Sequence, residues 1–134
     1  GKTWRGTVAG IGAGIAVGLL LGALRTPASA LLGLSLPAFS IAGLVALPAG
    51  AMLGDVAASF LKRRTGRTRG KPFPVLDQLD FVVGALLLAA IADPTWFWTV
   101  FTAPVIVTVL VLTPVLHVTT NVIAYALGLK NEPW

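Results

Sequence analysis

Thr7 to Leu24 is a run of 18 residues without a single charge. As an α-helix rising 1.5 Å per residue it reaches about 27 Å, close to the roughly 30 Å hydrocarbon thickness of a bilayer. The rest of the chain does not dilute this signal. Hydrophobic residues make up 56% and charged residues 11%, with a mean hydropathy of +0.88, whereas soluble domains carry roughly 25% charge. A soluble core could not hide so much apolar surface. The expected fold is all-α: a polytopic bundle of transmembrane helices forming one domain, 1–134.

Four spans are expected. The first, 7–24, has Gly10, Gly14, Gly18 and Gly22 every fourth residue. That spacing makes a smooth stripe on which a second helix can pack closely, although glycine is also ordinary membrane-helix composition. A break follows at 25–37, where Arg25, Pro27, Gly33 and Pro37 punctuate the chain. The second helix covers about 38–61, with Pro48 and Gly50 predicting a kink. A basic loop, 64–74, precedes a third helix at 75–92, whose wholly apolar part, 81–92, spans only about 18 Å. Asp77 and Asp80 must therefore lie close to the membrane boundary. Asp93-Pro94 reads as a helix cap followed by the first helical position. Trp96, Phe97 and Trp98 suit an interfacial aromatic belt. The stretch 99–129 is long enough for a bent helix, or for a span that continues into the cytoplasm, and Pro104 and Pro114 favour a bend.

Charge is concentrated between Gly54 and Phe81. Three of the five acidic residues (Asp55, Asp77, Asp80) and six of the ten basic ones (Lys62, Arg63, Arg64, Arg67, Arg69, Lys71) lie there. A net charge of +5 gathered in this way argues against nucleic-acid binding. Basic residues beside spans mark the cytoplasmic side, so the expected location is the cell membrane with the charged site facing the cytoplasm. The first residues show neither methionine nor a signal-peptide pattern. The chain is therefore expected to lack its true N-terminus.

Asp55, Ser59, Lys62 and Arg63 fall at i, i+4, i+7 and i+8, on one helix face. Asp77 and Asp80 stand three apart on another. A carboxylate this close to hydrocarbon is costly and needs a partner, either a nearby cation or a metal ion. Asp55, Asp77 and Asp80 make an oxygen-only donor set, which suits Mg²⁺ rather than zinc. Lysines and arginines alongside suit a polyphosphate. Together they point to phosphoryl or nucleotidyl transfer. The plainer alternative is that the loop sets topology and touches anionic lipid, with the aspartates as caps and salt-bridge partners. His117 and Asn121, one turn apart, read as hydrogen-bonded packing residues.

The pattern Gly54-Asp55-x-x-x-Ser59-x-x-Lys62-Arg63, followed by Asp77-Gln78-Leu79-Asp80, resembles the signature of the CDP-diacylglycerol synthases. It departs from that family at Thr68-Arg69-Gly70, where a Lys-Asp pair is usual, and at 71–75, where a His-Gly-Gly turn is usual. Gln78 stands in place of an arginine. In these departures it is similar to the archaeal branch, the CDP-archaeol synthases, through Gly1-Lys2-Thr3-Trp4-Arg5-Gly6, 54–64, and Pro74 to Asp80. The likeness continues to His117, Asn121 and Leu127–Lys130, and because that family usually has one more helix before the Gly-Lys-Thr element, it implies a missing N-terminal helix and five crossings in the intact protein.

The resemblance implies a cytidylyltransferase joining CTP to an isoprenoid glycerol-phosphate lipid, with Mg²⁺ on Asp55, Asp77 and Asp80. It implies catalytic roles for Lys62, Arg63, Ser59 and Asp80. Nucleotide contacts are implied for Gly54, Gln78 and an N-terminal strap of Lys2, Thr3, Arg5 and Gly6. Each keeps a plainer alternative: core packing for Ser59, a surface glutamine for Gln78, a Trp4 headgroup anchor for the strap. Gly1-Lys2-Thr3 is not a Walker A loop, because no strand and glycine-rich loop precede it. The partners implied are CTP, the lipid and the bilayer, and a homodimer is compatible with the sequence. Rival readings are a phosphatidate-using synthase, a transporter for a phosphate-bearing solute, and a structural subunit that binds anionic lipid. Against the transporter, the charges gather at one end and no inverted repeat is visible.

Overall fold

The computed structural model describes residues 3–64 and 76–130, and for 76–78 the backbone alone. All its regular elements in these segments are helices: α1 (Trp4–Leu32), α2 (Ile41–Arg64), α3 (Leu76–Ala92), α4 (Pro94–Val100) and α5 (Ala103–Ala126). α1, α2 and α5 are long and apolar enough to cross a membrane. α3 is shorter, with an apolar part at Leu79–Ala92, yet it is the inner helix, holding Val82 and fully buried Ala89. The expected helical membrane bundle is found, with three spans clear by length instead of four.

The glycine stripe carries the α1–α2 contact. A Cβ added at Gly10 would collide with Met52, at Gly14 with Pro48 and at Gly18 with Leu44. Four residues along α1 match four back along α2, so the two helices are antiparallel. Lipid tails are as apolar as leucine, so helices gain little from burial alone in a bilayer. Close approach and van der Waals packing must do the work, and glycine permits both. Gly22 meets nothing within 4 Å and lies beyond the contact.

The expected break at 25–37 begins too early. α1 continues through Pro27 to Leu32. Proline forfeits one backbone hydrogen bond, but Ala28, Ala30, Leu31 and Leu32 are good helix formers that resume the helix. The stop comes at Gly33, at φ 64°, where the amides of Gly33 and Leu34 both donate to Ser29 O. This is a left-handed cap that glycine adopts without penalty. Ser29 Oγ then accepts from Leu36 N at 3.2 Å, and Arg25 Nη1 donates to Leu36 O at 3.1 Å. Both bonds tack the connection to α2 back onto α1.

At the same end, Asp93 caps α4 by accepting from Trp96 N at 3.0 Å, with Pro94 at the first position, as the sequence predicts. The aromatic belt needs correction. Trp98 is exposed, but Phe97 is buried at 3% exposure. One turn of helix points Phe97 inward, where it joins Ala46 and Ala89 in the core and stacks on Phe101 at 4.9 Å. Trp96 lies across Gly43, whose missing side chain makes room for the indole. Its Nε1 donates to Ala38 O at 2.8 Å, tying α4 to the start of α2. Trp96→Phe removes that bond and leaves the Ala38 carbonyl without it. The expected loss is about 1 kcal/mol, read as a lower melting temperature in detergent.

The stretch 99–129 also resolves differently. It is not one bent helix. The chain breaks at Phe101 and Thr102, and α5 then runs from Ala103 through Pro114 to Ala126. Pro104 sits in its first turn, where a missing N–H costs nothing.

Candidate functional site

The last turns of α2 carry the predicted polar face. Asp55, Ser59 and Lys62 are all half-buried, while Arg63 is exposed at the helix end. Arg64 is different. Its guanidinium stacks over the Phe60 ring at 5.4 Å, on the opposite, lipid-exposed flank. Lys62, Arg63 and Arg64 together place positive charge on the final turn, where it complements the helix dipole.

Asp80 is brought against α2, at Gly54, by the crossing of α2 and α3. Three glycines make the crossing. A Cβ on Gly50 would strike Gly84 O and stand 2.8 Å from Ala85 Cα. A Cβ on Gly54 would strike Asp80 O and come within 3.1 Å of Gly84 Cα. A Cβ on Gly84 would strike Gly50 O and come within 2.7 Å of Gly54 Cα. The backbones therefore touch, and Asp55 follows directly on the residue in contact with Asp80. The Asp80 side chain is half-buried, and one carboxylate oxygen accepts from Phe81 N at 2.7 Å. Gly54, expected beside the nucleotide, thus has an immediate packing role.

The N-terminus of α1 reaches the same end. Thr3 is its N-cap, with the hydroxyl accepting from Gly6 N at 3.2 Å. Arg5 and Gly6 form the first helical turn and are exposed. The expected flexible strap is, from Thr3 onward, a helix end. A Cβ added at Gly6 would meet only Thr3 Oγ1, so the close α1–α2 contact stops at Gly10 and leaves this first turn open. A helix N-terminus offers amides and positive dipole to an anion.

An apolar groove of about 580 Å³ runs between α2 and α3. Leu53, Ala57, Leu61, Val83 and Leu87 line it, and among the described residues Asp80 is the one charged residue on its wall. It opens toward the bilayer, since Leu53, Leu61, Val83 and Leu87 are all exposed.

The crossing therefore sets Asp80 against Gly54, next to the α2 face of Asp55, Ser59 and Lys62, while Thr3, Arg5 and Gly6 are exposed at the start of α1, at the same end. Lys2, the side chains of Asp77 and Gln78, and the basic loop residues Arg67, Arg69 and Lys71 lie outside the described residues. Among the described residues, no three acidic or histidine side chains group to hold a metal ion. Of the expected metal-binding set, Asp55 and Asp80 are described and the Asp77 side chain is not. Sequence reasoning read Gly50 only as part of a kink and passed over Gly84. Their signal was present: Gly50-x-x-x-Gly54 is a small-residue spacing of the kind that marks close helix contacts.

Comparison with known proteins gives the family. The family model described as "CarS-like: CDP-archaeol synthase" matches residues 1–134. A CDP-archaeol synthase of Halobacterium salinarum is 62% identical over 134 residues, covering 100% of this chain and 74% of the relative. One from Haloarcula marismortui is 63% identical over 146 residues, covering 100% and 81%. One from Methanosarcina acetivorans is 44% identical over 140 residues, covering 100% and 80%. No solved structure gives a significant match. With a family model matching end to end and relatives this similar, the chain belongs to the CDP-archaeol synthase family.

Proposed function

We propose that this chain transfers CMP from CTP to an isoprenoid glycerol-phosphate lipid, giving a CDP-lipid and pyrophosphate. Family membership supports the reaction class. The observation that carries the reading to particular residues is the α2–α3 contact at Gly54. It packs the Asp80 backbone against the residue before Asp55, with Asp80 on the wall of the apolar groove. A lipid chain lying in that groove would present its phosphate to the acidic residues from the membrane. A nucleotide would reach the same residues from water, past Lys62, Arg63 and the start of α1. The excess of lysine and arginine at this end directs it to the cytoplasm.

In the reaction, a lipid phosphate oxygen attacks the α-phosphorus of CTP. One P–O bond forms, the bond to the β-phosphate breaks, and pyrophosphate leaves with its electron pair. No covalent enzyme intermediate is needed. Asp55 and Asp80 supply only oxygen donors, which fits Mg²⁺, an ion commonly held by one or two carboxylates plus substrate phosphates. Asp77 is the third candidate. Bound there, Mg²⁺ would supply charge neutralisation on the triphosphate. Lys62 and Arg63 stabilise the charge that grows on the transferring and leaving phosphates. Ser59 donates its hydroxyl to a phosphate oxygen. Lys2, Arg5 and Gln78 contact the nucleotide phosphates, with the free amides of the α1 N-terminus beside them.

The test is turnover by purified protein in lipid nanodiscs, given labelled CTP, Mg²⁺ and 2,3-di-O-geranylgeranylglycerol 1-phosphate. Pyrophosphate and a CDP-lipid are expected in equal amounts. Chelation of Mg²⁺ should stop the reaction and re-addition should restore it. Wild-type protein that makes no CDP-lipid overturns the reading. Faster turnover with phosphatidate would instead favour the diacyl substrate.

A further inference from the structure

The lower half of α5 carries polar side chains that the proposed chemistry does not yet use. Its half-buried positions include Ile106, Leu110, Thr113, Asn121 and Ala124, spaced at helical intervals that mark one inward face. Ile106 on that face packs against the core of Ala46, Ala89 and Phe97. At about 100° per residue, Asn121 falls within about 60° of Ile106 and His117 within about 20°, although His117 itself is exposed. An imidazole and a carboxamide in a spanning helix are costly against hydrocarbon, so such groups face the bundle or a wet cavity.

The chain beyond α5 adds a cation to this face. Gly128 has φ 71°, and its N–H donates to Tyr125 O at 3.0 Å while Leu129 N donates to Ala124 O at 2.9 Å. This left-handed cap turns the chain back on the helix. Lys130 Nζ then donates to Asn121 Oδ1 at 3.1 Å. The ammonium is held alongside the helix, on the side of Asn121, instead of trailing along the axis.

Depth can be read from the shared core. Ile106 and Ala89 meet there, and a spanning α5 must run back toward the end from which α3 came. His117 is about 16 Å down α5 from Ile106, and Asp80 about 14 Å down α3 from Ala89. The two side chains therefore lie at nearly the same depth. Asn121, with Lys130 attached, lies about one turn nearer the end where Lys62 and Arg63 leave α2.

We infer that His117 and Lys130, the latter positioned by Asn121, form a phosphate-binding edge of the site, facing Asp55, Ser59, Lys62 and Asp80 from α5. The inference rests on the cytidylyltransferase reading. Two phosphate-bearing substrates meeting at one centre need cationic and hydrogen-bonding groups on more than one wall, and α5 provides the second. The ligand is a substrate phosphate, either the CTP triphosphate or the lipid monophosphate.

Steady-state kinetics of Lys130→Met, Lys130→Arg, Asn121→Val and His117→Phe decide the matter. Thr119→Val serves as control, because Thr119 lies on the far side of α5 with its hydroxyl bonded to Val115 O at 2.7 Å. Lys130→Met and Asn121→Val are expected to raise one KM about tenfold, the scale of a lost charge-assisted hydrogen bond. His117→Phe should raise the same KM. Lys130→Arg should restore most of the loss and the control should change nothing. A rise in the KM for CTP assigns the edge to the triphosphate, and a rise in that for the lipid assigns it to the lipid phosphate. If melting falls while both KM values stay within about twofold, Lys130 only clamps the tail and the inference fails. Should wild-type protein not turn over, the cytidylyltransferase reading falls by itself. Binding of Mg²⁺-pyrophosphate to wild type and Lys130→Met then decides the inference alone: weaker binding by the variant supports it, and equal binding overturns it.

Discussion

Asp80→Asn is expected to lower CDP-lipid formation by about 10²–10³-fold, the usual consequence of removing one preorganised electrostatic group from a transition state. The substitution is a clean one here. Asparagine has nearly the same shape, and its oxygen can still accept from Phe81 N, as the carboxylate does at 2.7 Å. The α2–α3 contact uses the Asp80 backbone rather than its side chain. Melting in detergent should therefore be unchanged, while half-saturation by Mg²⁺ moves to higher concentration. Undiminished activity in Asp80→Asn would remove the metal assignment and leave the rest of the reading standing.

The second large effect is expected from Gly54→Ala. A single methyl group there meets Asp80 O, and it lies 3.0 Å from the Asp80 carbonyl carbon and 3.1 Å from Gly84 Cα. These are backbone atoms, so no side chain can swing aside. The helices must separate, and Asp55 then moves relative to Asp80. A displacement on the order of 1 Å costs roughly 100-fold in rate when geometry is critical. The melting temperature should fall as well, because the closest contact in the bundle is lost. Gly12→Ala provides the comparison: a Cβ there meets nothing within 4 Å, and neither rate nor melting should change. If Gly54→Ala instead raises only the KM for CTP and melts like wild type, Gly54 serves the nucleotide and not the crossing.

Much of this architecture was legible one residue at a time. Hydropathy marked the spans, because each helix in a bilayer must satisfy its own backbone and present an apolar surface. Asp93-Pro94 announced α4 through a capping bond that reaches only three residues. The spacing of Asp55, Ser59 and Lys62 implied one face, and all three are half-buried together. The glycine stripe on α1 promised a close neighbour and has one in α2.

The misreadings arose where distant residues decide. Pro27 looked like a terminator, but the helix ends only where Gly33 turns left-handed and Ser29 gathers the loose amides. Phe97 looked interfacial beside two tryptophans, yet it is buried because Ala46 and Ala89 leave a space for its ring. Thr3 was expected in a strap. Its hydroxyl instead caps α1.

By itself the sequence determined the membrane setting, the helices, their polar faces and the family, since each depends on chemistry within one or two turns or on a contiguous motif. Only the tertiary structure decided the register. Gly50 and Gly54 on one helix and Gly84 on another had to be small together for the backbones to meet. That meeting, between residues thirty positions apart in the chain, packs Asp80 against the residue before Asp55, which no local pattern could specify.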